Sequence, residues 1–302
     1  MRSIQFLTFA RFATALQIIA GLGISTSIHA ADNSVDQVHD NYSQEKIRTR
    51  QIDFLQSYVK RYPENIQAWE ALARTQENAG QISQAIATWQ YIGKHFNRMS
   101  EAVGNQAQIL RKNGQSEKAL SILQSHQVNA TDKDVGFWEI LGDLAWELEQ
   151  TEPSVSAYRI LWNSGSTNAL VPERLIHLTR NMPGKAEESM TVGEEAYERL
   201  GDARWLLLAM DVASQASKIS DLKRLLKKAQ INEQQFQKVE MYWLMRAQLE
   251  IQQKNPSKAT SHYQQALLVN PQSAIAKEGI LWNLIGQNDK PGLESYLEIW
   301  HE

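Results

Sequence analysis

The segment Asn78-Ala79-Gly80-Gln81 returns, in altered form, as Lys112-Asn113-Gly114-Gln115, and Ser83-Gln84-Ala85 returns as Glu117-Lys118-Ala119. Gly80 and Gly114 are 34 residues apart, as are Ala85 and Ala119, and Trp89 and Leu123. Self-similarity at a fixed period of this length marks an array of small structural units, each too small to bury its own apolar face and each stacked on the next. The residues around these landmarks are rich in Ala, Leu, Gln, Glu and Lys and hold only seven prolines across 302 positions, a composition that favours helix. Alternating runs of Val, Ile and Thr that would specify strands are absent.

The pattern resembles the tetratricopeptide repeat family, whose unit is a helix-turn-helix of 34 residues. In such a unit a large residue early in the first helix fills the space between the pair. A small residue lets the second helix approach, and a glycine closes the turn. In residues 66–99 these are Trp69, Leu72, Ala73, Gly80, Ala85 and Trp89. A later unit offers Trp138, Leu141 and Gly142, followed by Tyr158 on the second helix. Another offers Trp243, Ala259, Tyr263, Ala266 and Pro271, the proline ending its helix. The same register makes Gln44 to Arg61, just before Pro63, half of an incomplete unit, and Ile280 to Trp300 a closing unit. The resemblance implies an all-α fold over residues 44–302, a right-handed superhelix of about six to seven antiparallel helix pairs. The pattern degenerates near residues 165–230, where the turn reads Met182-Pro183-Gly184 and the helix Asp221 to Ala229 is short. Gly279 to Asp289 also resembles repeat segments of Pel-type exopolysaccharide outer-membrane exporters, although no series of barrel strands follows.

Residues 1–30 read differently. Arg2 and Arg11 accompany an apolar stretch from Phe12 to Ile24, and a short polar region ends at Ala30. That order is expected of a secretory signal cleaved near Ala30, with residues 31–43 a flexible leader. An uncleaved signal would instead leave the protein anchored in a membrane. The chain contains no cysteine, which excludes thiol chemistry and Cys-ligated zinc. A signal together with no disulfides points to a periplasm. The 31 basic and 34 acidic residues are interspersed, so no nucleic-acid surface is indicated.

Motifs for phosphate loops, dinucleotide folds, nucleophile elbows and zinc helices are missing, and the seven histidines are scattered, so no catalytic residue, metal or cofactor is expected. The carboxylates Glu187, Glu188, Glu194, Glu195, Glu139 and Asp143 read as solvated helix surface. Of the nine tryptophans, Trp69, Trp89, Trp138, Trp205 and Trp243 fall at packing positions; Trp146, Trp162, Trp282 and Trp300 do not.

Binding is expected on the groove lined by first helices, where the resemblance places Glu70, Arg74 and Glu77, then Arg111, then Asp143 and Trp146. Downstream the same positions turn apolar: Leu206, Met210, Leu244, Ile251, Trp282 and Ile285. This predicts a stripe that holds an apolar or amphipathic segment of a partner, or one buried by tighter curvature of the array. Leu293, Leu297, Ile299 and Trp300 near the end predict self-association or assembly there. The sequence therefore describes a periplasmic protein-binding adaptor of an envelope assembly, with exopolysaccharide synthesis or export the pathway suggested by resemblance. A glycan-binding protein using Trp146 and Trp282, or an exporter scaffold lacking its barrel, are the alternatives.

Overall fold

A computed structural model describes residues 29–301, with side chains from 45 to 300. The expected signal sequence lies outside the described residues except for its last two positions. Fifteen α-helices follow one another: α1 (His29–Arg61), α2 (Ile66–Asn78), α3 (Ile82–His95), α4 (Met99–Lys112), α5 (Ser116–His126), α6 (Val135–Glu147), α7 (Thr151–Asn163), α8 (Leu170–Thr179), α9 (Ala186–Leu200), α10 (Ala203–Gln215), α11 (Ile219–Ile231), α12 (Glu240–Gln252), α13 (Pro256–Val269), α14 (Ala274–Gly286) and α15 (Lys290–His301). No strand occurs among the described residues. Helix α1 takes in residues 31–43, which the sequence sets apart as a leader. The chain divides into two compact units at Ala85–Ile86, part-way along α3.

The turns within the hairpins have a common physical basis. Gly80, Gly114, Glu149, Gly184, Ser217, Lys254 and Asn288 all have positive φ, and each follows the one before it at close to the repeat period. In six of these turns the next residue donates its backbone N–H five residues back: Gln81 to Gln76 (2.8 Å), Gln115 to Leu110 (2.9 Å), Gln150 to Ala145 (2.8 Å), Lys218 to Ala213 (2.8 Å), Asn255 to Glu250 (2.9 Å) and Asp289 to Leu284 (3.0 Å). This is the Schellman closure, which satisfies carbonyls that a helix end would leave bare and turns the chain back sharply. The turn at Gly184 lacks that bond, and Lys185 donates to Met182 instead.

Packing follows from close approach at small residues. A Cβ on Gly142 would lie 3.0 Å from the Tyr158 ring, and one on Gly279 only 2.4 Å from the Tyr263 ring, so each tyrosine rests on glycine backbone. In the degenerate stretch α9 and α10 also approach closely, since a Cβ on Gly193 would lie 2.9 Å from the Trp205 carbonyl and 3.0 Å from Ala209. Contrary to the expectation of a short helix there, α11 spans thirteen residues from Ile219 to Ile231. Its Leu222, Leu225 and Leu226 are buried, each stabilising by roughly 1.5–3 kcal/mol.

The expected core tryptophans divide. Trp89, Trp138 and Trp205 are buried, whereas Trp69 and Trp243 are half-buried. Three of them latch their helix to the preceding turn: the indole N–H donates to the carbonyl of Pro63 from Trp69 (2.9 Å), of Thr131 from Trp138 (2.7 Å) and of Gln237 from Trp243 (2.9 Å). Trp205 has no such partner among the described residues, and its register therefore gains packing without the bond. Trp162, unassigned by the sequence, is also core, donating to Glu195 at 2.7 Å beneath the Arg199 guanidinium at 3.7 Å.

Two of the carboxylates expected to be simple solvated surface, Glu188 and Glu194, tie successive second helices together. Arg159 on α7 meets Glu188 on α9 at 2.6 Å, and Glu194 on α9 meets Arg224 (2.5 Å) and Lys228 (2.8 Å) on α11. Glu198 also pairs with Lys228. Partial burial pushes the carboxyls of Glu188 and Glu194 up, and hydrogen bonds from their cationic partners more than reverse this, leaving both below the ordinary glutamate value of 4.5.

These turns and ties can be tested by substitution. Replacing Ser217, held at φ +55°, with glycine removes the left-handed penalty on a side chain and is expected to raise the melting temperature, by roughly 1 kcal/mol of stability. A calorimetric melt showing no gain would count against strain at that turn. For the ion pairs, a depressed folded-state pKa means stability that is present above the ordinary value and lost as pH falls through the lowered one. The double change Arg224→Gln with Lys228→Gln is expected to flatten the fall in melting temperature below pH 4.5 while lowering the plateau at neutral pH.

Candidate partner-binding groove

The first helices of the hairpins carry the residues expected to face a partner. On α2, Arg74 is exposed and Glu70 and Glu77 are half-buried. From α4 onward the polar members are bound to one another. Arg111 on α4 pairs with Glu147 on α6, Asp143 on α6 pairs with Arg174 on α8, and Arg180, just past the end of α8, meets Asp211 on α10 at 2.5 Å. Tyr158 donates its hydroxyl to Asp143 at 2.9 Å, and burial followed by the Asp143 charge pushes that hydroxyl well above its ordinary pKa. A second such cluster joins Tyr242, Glu233 and Arg246, with both Tyr242 and Arg246 donating to Glu233 at 2.8 Å. Burial and then the hydrogen bond to Glu233 push Tyr242 up to about 12.

Trp146 is half-buried. Its ring lies 5.4 Å below the Arg174 guanidinium and meets the edge of His177 at 5.4 Å. It borders a hollow of about 470 Å³ together with Glu147, Glu149, Gln150 and His177. Arg174 and Arg180 are not among the residues expected from sequence. Their separation from Asp143 and Asp211 falls short of the repeat period, so periodicity alone does not select them.

The apolar stripe requires correction. Leu206 and Met210 are fully buried, as is Ala213, because they pack into the same core as Leu225, Leu226 and Tyr242 of α11 and α12. Leu244 is also buried, joining Ala247, Ala259, Tyr263 and Ile280. What remains open is a smaller face on α12 and α14. Met241 and Ile275 are exposed and stand one repeat period apart, and so do Ile251 and Ile285. Trp282, at the repeat position equivalent to Gln248, is 70% exposed. Of these, Ile251 and Trp282 line a groove of about 560 Å³ together with Gln248, Lys254 and Gln287. Its floor is rigid: the Tyr263 ring lies against Gly279, and the Asn283 amide donates to the Pro256 carbonyl (2.5 Å) and the Thr260 hydroxyl (2.6 Å).

The closing helix is also less bare than its sequence predicts. Leu293 is half-buried, and Trp300 packs on Tyr296 at 5.1 Å with the Lys277 ammonium over its ring. Leu297 and Ile299 are the exposed members of that set.

Comparison with known proteins adds the family. Residues 90–302 match a family model described as a tetratricopeptide repeat. No curated protein matches the chain. Among solved structures, the C-terminal part of a repeat-containing protein from Cytophaga hutchinsonii shares 12% identity, covering 75% of this chain and 92% of that one, at a TM-score of 0.48. YrrB, described as a TPR protein with an unusual peptide-binding site, shares 12% identity over 62% of this chain and 94% of its own, at 0.46. PilW, described as a widely conserved type IV pilus biogenesis factor, shares 9% identity over 66% and 90%, at 0.42. The family match spans well over half of the sequence, and the chain belongs to the tetratricopeptide repeat family.

Proposed function

We propose that this protein is an exported scaffold that binds other proteins and holds partners of an envelope assembly together in the periplasm. Exopolysaccharide synthesis or export is the assembly to examine first. The observation that carries the binding reading is the paired exposure of Met241 with Ile275 and Ile251 with Ile285 around Trp282. Apolar side chains held open at equivalent positions of two successive units, over a rigid floor, suit an apolar or amphipathic segment laid across both helices. Export rests on the order of charged, apolar and small residues in positions 1–30. A second reading, glycan binding, draws on the exposed Trp282 beside the amides of Gln248 and Gln287, which together offer a stacking face and hydrogen-bonding groups. Trp146 suits that role less well, because Arg174 lies over its ring.

Site-specific photo-crosslinking in cells from Ile251, Trp282 and Ile285, with Glu77 as a comparison position, separates these readings. One dominant envelope protein trapped from the three apolar positions and not from Glu77 is the expected result. Cytoplasmic partners alone would overturn export. An absence of protein adducts, with polysaccharide binding lost in Trp282→Ala, would move the assignment to the glycan.

A further inference from the structure

Apart from the groove, the second helices form a charge series that stops short. Helix α7 presents Arg159 to Glu188 of α9, and α9 presents Glu194 and Glu198 to Arg224 and Lys228 of α11. Cation meets anion at each step. Helix α11 carries a second cationic pair, Lys223 and Lys227, both exposed and in no ion pair among the described residues. These two border a hollow of about 300 Å³ between α11, α12 and α13. By the order of the series α13 should answer with carboxylates, yet its sequence from Pro256 to Val269 contains Lys258 and His262 and no acidic residue. Arg246 also borders the hollow, and the one carboxylate lining it, Glu250, accepts a hydrogen bond from the Asn255 amide at 2.9 Å. Burial first, with Arg246 and Lys258 adding to it against Glu250, holds His262 below its ordinary pKa, consistent with a positive field in the hollow.

We infer that the α11–α13 hollow docks an acidic helix of a partner protein, one bearing carboxylates a single turn apart. The spacing argues for a helix rather than a loose polyanion. On its other face, α11 uses Arg224 and Lys228, four residues apart, to hold Glu194 and Glu198, four residues apart on α9. Lys223 and Lys227 repeat that spacing in no ion pair, with Glu250 the single acid lining their hollow, so an incoming helix with glutamates at the same interval would complete the series. The site is separate from the apolar groove of α12 and α14 and does not depend on its occupant.

The test uses the purified protein and a blocked alanine-based helical peptide carrying glutamates four residues apart, with binding read by fluorescence anisotropy at low and high salt. Comparison peptides carry glutamine instead, or the same number of glutamates at a spacing that scatters them around the helix. Binding of the first peptide is expected, weakened roughly tenfold by Lys223→Gln with Lys227→Gln while the melting curve stays unchanged. The reversed protein, Lys223→Glu with Lys227→Glu, is expected to prefer a helix with lysines at that spacing. Equal affinity for the scattered peptide would overturn the inference, as would binding that survives the double glutamine change. Displacement by polygalacturonate or inorganic phosphate at concentrations matching the peptide would also overturn it, by showing a general anion site.

Discussion

Each hairpin in this chain depends on one residue held in the left-handed region at its turn. That residue lets the next N–H reach back to a bare carbonyl and sends the second helix down beside the first. Only then can a glycine such as Gly279 meet a ring such as Tyr263, and an indole such as Trp243 latch to the preceding turn. A single pair has too little apolar surface to persist by itself, so the turn also commits each pair to its neighbour. The hairpin at Gly184 lacks that bond although its turn residue has the same positive φ.

This constraint explains which parts of the fold could be read beforehand. Gly80 and Gly114 announce their turns because glycine is the residue that takes positive φ without cost. Glu149, Ser217 and Lys254 take the same conformation at equivalent places, and nothing in their residue types signals it, whereas Asn288 is of a type that tolerates it. The period was therefore visible at a few points and hidden at the rest, although the backbone keeps it nearly throughout. The shortened helix expected at Asp221 to Ala229 is an error of the same kind. Residues outside the apolar pattern, such as Ile219 and Ile231, belong to α11 because helical hydrogen bonding continues past the buried stripe.

The candidate site was less legible, because exposure depends on how neighbouring helices lean, which no residue encodes by itself. Met210 occupies the same repeat position as the exposed Trp282 of α14, yet both it and Leu206 are enclosed by α11 and α12. Arg111 and Asp143 do sit at the expected polar positions, but their charges are spent on Glu147 and Arg174. Those polar side chains staple one helix to another, and the open part of the apolar stripe contracts to the face around Trp282.

That outcome bears on how recognition can be distributed along such an array. An ion pair between adjacent helices holds side chains in place and leaves little uncompensated charge to attract a partner. Unanswered charge and open apolar surface are therefore the places where recognition can occur without first breaking an internal contact. Both gather toward the later units here: Lys223 and Lys227 on α11, Ile251 on α12, and Trp282 with Ile285 on α14. The units from α4 to α10 are tied to one another by ion pairs at Arg111, Arg159, Arg174 and Arg180. Helix α11 carries both kinds of charge, with Arg224 and Lys228 paired to α9 while Lys223 and Lys227 stay unanswered, so charge that holds the helices together and charge left open can share one helix.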